Sequence, residues 1–142
     1  MRLKKWTAVI CIGMISALLL SGCQLNEPLP DGMDEQALIV AATEVRELIF
    51  AGKYEEVTNR FRPDVREDNG ITVDKVKSLV EVYANPKEIG TLKKVNKTTV
   101  AGNNEGEDHG IVVFECEFTE KKVGVGISFD MDMNLLGITL GS

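Results

Sequence analysis

Val123-Gly124-Val125-Gly126-Ile127-Ser128-Phe129-Asp130-Met131 alternates apolar and small or polar residues over nine positions. Only an extended strand, whose side chains point to opposite faces at a period of two, puts Val123, Val125, Ile127, Phe129 and Met131 on one face. Just upstream, Val112, Phe114, Cys116 and Phe118 alternate with Val113, Glu115, Glu117 and Thr119, and Lys121-Lys122 supplies the turn between the two runs. A short closing strand turns Leu136, Ile138 and Leu140 inward, and Thr91 to Ala101, rich in β-branched residues, reads as a half-exposed first strand. Gly124 and Gly126 weaken a strand unless a bend or bulge requires them, so a curved sheet is expected.

Before Gly90 the period is helical. Leu38, Ala41, Ala42, Val45, Leu48 and Ile49 share one face of a helix over Asp34 to Ala51, which Gly52 stops. Tyr54, Val57 and Phe61 share the face of a brief second helix before Pro63 prevents its continuation. Arg62 to Gly70 reads as a polar loop. Val76, Leu79, Val80 and Tyr83 form the stripe of a third helix, with Thr72 as N-cap and Asn85-Pro86 as its end. Three helices followed by about four strands joined by short turns predicts an α+β domain. The helical stripes would cover one face of an antiparallel sheet and leave the other face largely wet.

The N-terminus has a separate character. Arg2, Lys4 and Lys5 precede an almost wholly apolar run from Trp6 to Leu20, about 15 residues and short of the ~20 needed to span a bilayer. Leu20-Ser21-Gly22-Cys23 closes it. This stretch resembles the lipobox of bacterial lipoproteins. The resemblance implies a signal peptide over residues 1–22, cleavage before Cys23, and a diacylglyceryl group on the Cys23 sulfur. Two acyl chains hold a protein on a membrane where one binds only marginally. The expected location is therefore the cell membrane, lipid-anchored, on the extracytoplasmic side. Residues 23–33, with Pro28, Pro30 and Gly32, read as a lipidated tether, and 34–142 as the domain.

The formal charge is −6, and Arg2, Lys4 and Lys5 leave with the signal segment, so the remainder carries −9. Such a surface is repelled by nucleic acid, and no nucleic-acid partner is expected. Of the cysteines Cys11, Cys23 and Cys116, the first departs and the second is acylated, so Cys116 has no partner for an internal disulfide.

Ala51-Gly52-Lys53-Tyr54-Glu55-Glu56-Val57 between the first two helices, Gly90 after the third, and the closing Phe129-Asp130…Leu136-Gly137-Ile138 hairpin carry a second resemblance. The region 35–141 is similar to the cystatin-like, nuclear-transport-factor-two-like superfamily. More narrowly, it resembles small lipoproteins, mainly of Gram-positive bacteria, that carry a domain of unknown function. The resemblance implies a cone: a curved sheet with helices packed on its inner face, sometimes leaving a pocket at the wide end. Members include isomerases, dehydratases and non-catalytic binding modules, and relatives of this domain can sit beside an α/β-hydrolase.

Candidate chemistry is sparse. His109 lies between Asp108 and Gly110 and reads as an exposed loop histidine; Cys116 reads as a core thiol between Phe114 and Phe118. With one histidine, and with Cys23 acylated, a zinc site lacks members. Asp130-Met131-Asp132-Met133-Asn134 imitates the opening of a calcium loop, but Leu135 and Gly141 stand where glycine and glutamate belong, so these acids are expected to cap a hairpin turn. No metal, cofactor or catalytic residue is assigned. Tyr54 and Tyr83 are the polar groups expected at the tip of an otherwise apolar cone. The reading is a non-catalytic binding domain on a membrane anchor, taking an envelope protein or a small apolar ligand. The alternative is a tethered cone-pocket enzyme, isomerase-like or accessory to a hydrolase.

Overall fold

The computed structural model describes residues 27–103 and 105–141. Helix α1 (Glu35–Phe50) starts where the Asp34 carboxylate accepts a hydrogen bond from the Ala37 amide at 2.8 Å. It buries Leu38, Ala42, Val45 and Ile49, while Ala41 and Leu48 pack half-buried at the margin of the stripe. Gly52, at φ +76°, turns the chain into α2 (Tyr54–Arg60). Helix α4 (Val73–Tyr83) is capped by the Thr72 hydroxyl and buries Val76 and Val80.

Two short helices add to the three expected. Residues 62–70 are not an open loop, because α3 (Pro63–Asp68) forms within them and buries Val65. Proline at the first helical position lacks an N–H that would have no partner there, so Pro63 ends α2 and starts α3. Six residues with one apolar side chain give no period from which to read a helix. Pro86 starts α5 (Pro86–Ile89) in the same way, after Asn85.

Strands β1 (Leu92–Asn103), β2 (His109–Phe118), β3 (Lys122–Asp130) and β4 (Leu135–Gly141) pair antiparallel in the order β1-β2-β3-β4. The ladder places Val112 opposite Ile127 and Phe114 opposite Val125, and sets Ile127 and Val125 against Ile138 and Leu140. These residues form the buried face on which the helices lie, with α1 on β2 and β3 and α4 on β4. Phe50 meets Phe118 edge-to-face at 4.9 Å, and the Arg46 guanidinium stands 4.6 Å over the Phe114 ring. All core residues of this cluster lie between Met33 and Leu140. Among the described residues no helix is long and apolar enough to cross a membrane.

The bulges fall elsewhere than the strand glycines suggested. Register shifts occur in β1 between Leu92 and Lys94 and between Val95 and Lys97, and in β4 at Leu136, opposite Ser128 and Phe129. Gly124 and Gly126 pair regularly with Gly141 and Thr139. The second sheet face is also drier than expected: Ala101, Ile111, Val113, Ser128 and Thr139 are all buried. Ile111-Val112-Val113 is a continuous apolar run, the pattern of a strand covered on both faces, which strict alternation had masked.

The segment before α1 lies on the sheet. The Gly102 amide donates to the Glu27 carbonyl at 2.9 Å, and Leu29 packs against the core. Gly102 allows this approach, because a Cβ there would run into the Pro28 carbonyl oxygen.

Candidate functional site

Two features stand out. The first is an apolar groove between α4 and the sheet. Phe61, Ile71, Val76 and Ile138 are buried and make its floor, while Leu79, Val82 and Tyr83 from α4 make its wall. Its volume of about 310 Å³ lies at the small end of ligand sites, which run roughly 300–1,000 Å³. The wall exists because α4 has more apolar residues than its stripe can bury. Val82 is 71% exposed and Tyr83 38% exposed. Lys75 and Ser78 complete the lining. Lys75 Nζ donates to the Asn69 carbonyl at 3.0 Å, and among the described residues it has no carboxylate within ion-pair distance.

The second feature is a charged knot at one end of the sheet. Arg62, between α2 and α3, donates from Nε to Asp64 Oδ1 at 2.7 Å. Its Nη2 donates to Glu107 Oε1 at 2.7 Å, and Nη1 to Glu107 Oε2 at 2.8 Å and Asp130 Oδ2 at 2.9 Å. These bonds hold the guanidinium pKa above its ordinary value, the Glu107 contact first; burial opposes them and loses. Asp130 is 5% exposed. Burial pushes its carboxyl up. Hydrogen bonds from the Asn134 amide (2.8 Å) and side chain (3.1 Å), from Arg62 and from the Asp132 amide (2.9 Å) outweigh that and leave the pKa below the usual carboxylate range.

The knot joins three parts of the chain. The Arg62 amide donates to the Leu135 carbonyl at 3.0 Å, and Phe61 bridges Leu135, so the helical layer is tied to the start of β4. Glu107 brings in the β1–β2 loop. Asp130 organises the β3–β4 turn as the expected cap, with Met133 at φ +64°. Its oxygens face N–H donors, so the calcium-like spacing serves a turn.

His109 is not an exposed loop residue. The β1–β2 ladder runs on to Asn103 opposite His109, and His109 pairs with Asp130 in the next ladder. The residue is 2% exposed, with Nδ1 donating to the Glu107 carbonyl at 2.8 Å. Met131, expected in the core, is 39% exposed, because β3 ends at Asp130 and the turn carries Met131 away. Cys116 is 1% exposed, and burial pushes its thiol pKa up while Arg46 pulls weakly the other way.

The two tyrosines do not share a site. Tyr83 lines the groove, whereas Tyr54, on α2, is half-buried outside it. Burial pushes the Tyr54 phenol up, and the Glu81 carboxylate adds to the shift. Leu20, Ser21, Gly22 and Cys23 lie outside the described residues. Arg62 had no sequence signal beyond its nearness to Asp64, since Glu107 and Asp130 reach it only through the fold.

Residues 42–138 match a family model described as "Protein of unknown function (DUF3887)". The chain belongs to this family. A protein from Ruminococcus gnavus ATCC 29149, solved by NMR, is similar in structure with a TM-score of 0.65 and 25% sequence identity. The similarity covers 80% of this chain and 96% of that one. No curated protein matches the chain. The structural likeness supports the α+β fold seen here, with its four-stranded antiparallel sheet, and neither name carries an activity.

Proposed function

We propose that this protein is a lipid-anchored, extracytoplasmic membrane lipoprotein whose domain binds a small apolar ligand without transforming it. The observation that carries the binding reading is the groove between α4 and β4. Its floor is wholly apolar, and two wall residues, Val82 and Tyr83, stand exposed. Exposed apolar surface in a concave setting has a cost in water that a ligand removes. The polar groups of the groove, Lys75, Ser78 and Tyr83, include no carboxylate or imidazole to exchange a proton with them. The charges of the Arg62 knot are bonded to one another and hold loops together. Phe114, Phe118 and Phe129 fill the space between helices and sheet, where a cone-pocket enzyme of this class would place its reactive groups.

The helix-then-meander order and the bulges in β1 and β4 support the cystatin-like cone as the architecture. The anchor reading rests on Leu20-Ser21-Gly22-Cys23 and the basic, apolar segment before it. Fractionating cells that express Cys23→Ala tests the anchor: the variant leaves the membrane fraction and changes mobility, and retention with unchanged mobility refutes acylation. Thermal denaturation with and without medium-chain alcohols tests the domain. Stabilisation that is lost in Val82→Asp supports the groove, and no stabilisation by any apolar compound refutes it.

A further inference from the structure

We infer that the α4–β4 groove selects an amphiphilic anion: a free medium-chain monocarboxylate whose chain lies on Phe61, Val76 and Ile138 and whose carboxylate meets Lys75. This rests on the groove being the binding site proposed above and adds the class of its ligand. Lys75 is the one Lys, Arg, Asp or Glu among the lining residues. Its ammonium donates to a single neutral oxygen, the Asn69 carbonyl, so two of its three N–H bonds have no described protein acceptor. Lys75 is exposed, so a neutral ligand gains nothing from its charge, and a cationic ligand would be repelled. A carboxylate supplies both the charge and the acceptors.

Size and context are consistent with such a ligand. A groove of about 310 Å³ lies at the small end of ligand sites, which suits a single-chain ligand of medium length. The whole chain carries a net charge of −6, so attraction of an anion must come from a local cation. Screening over about 8 Å at physiological salt confines the effect of the distant acids.

The experiment compares decanoate with decanol by isothermal titration on residues 24–142, which contain every core residue; far-UV circular dichroism of each variant verifies the fold. Decanoate is expected to bind about three- to fivefold more tightly than decanol, the range of a solvent-accessible ion pair. Lys75→Met is expected to remove that ratio and leave decanol binding within about twofold. Lys75→Arg is expected to keep it. Equal affinities, or a decanoate preference that survives Lys75→Met, overturn the anionic selectivity while leaving an apolar groove in place. Failure of both compounds to bind overturns the groove as a ligand site, and the selectivity with it.

Discussion

Replacing Asp130 with alanine removes the acceptor of four hydrogen bonds at one stroke: from the Asp132 and Asn134 amides, the Asn134 side chain and Arg62 Nη1. Hydrogen bonds to a charged group are worth about 1.5–3 kcal/mol each, are not additive here, and in a buried setting their loss leaves donors unsatisfied. Arg62 keeps Glu107 and Asp64, so the larger penalty of a wholly orphaned buried cation does not arise. We expect Asp130→Ala to lose about 3 kcal/mol at neutral pH. With a urea m-value of about 1–3 kcal/mol/M, the midpoint falls by about 1–3 M. The comparison is Asp64→Ala. The Asp64 side chain is 40% exposed, so breaking its pair with Arg62 should cost at most about 1 kcal/mol. Far-UV circular dichroism should follow the unfolding, because the sole tryptophan, Trp6, lies in the segment expected to be removed. The pH dependence has a defined sign. In the unfolded chain an aspartate ionises near pH 3.9, and the folded Asp130 carboxyl ionises lower. Its stabilisation is complete above about pH 3.9 and is lost as the pH falls through the lower folded value, so the gap between wild type and Asp130→Ala narrows in acid. A loss below about 1 kcal/mol, a loss no larger than that of Asp64→Ala, or a gap that stays constant into strong acid would refute the role given to the knot.

Two other changes probe separate parts of the fold. Cys116 should react with a thiol reagent only as fast as the domain opens, so labelling should accelerate with urea; rapid labelling under native conditions contradicts its burial. Gly102→Val should detach residues 27–29 from the edge of β1, because its side chain meets the Pro28 and Leu29 backbone, which cannot yield as a flexible side chain would. Exchange protection of the Gly102-to-Glu27 hydrogen bond, measured on residue 102 itself, is then lost; an unchanged exchange rate contradicts the close approach.

The main elements were legible because their signal is local. The stripes of α1 and α4 repeat at helical spacing, β2 and β3 alternate, and turn residues such as Gly52, Gly90 and Asn85-Pro86 punctuate the chain, so burying one face of each leaves few arrangements. The short α3 escaped notice because six residues hold no period. His109 was misplaced because ladder pairing with Asp130, invisible in a local window, extends the strand through a polar stretch. Met131 was misplaced because alternation does not say where a strand ends.

The site was less legible than the fold, for a related reason. Tyr83 could be named from its helix, but no sequence rule says that α4 overhangs β4 and leaves a groove with Lys75 on its rim. Arg62, Glu107 and Asp130 lie 45 and 68 positions apart along the chain from Arg62, so only the packing of the helical layer on the sheet brings them within 2.9 Å. By itself the sequence determined the order of the three longer helices and the four strands, the main stripes of the core and the expectation of a lipid anchor at Cys23, because periodicity and a short motif are read along the chain. The tertiary structure decided which polar residues are consumed in holding loops and which face an open groove, because that depends on neighbours that meet only once the chain has folded.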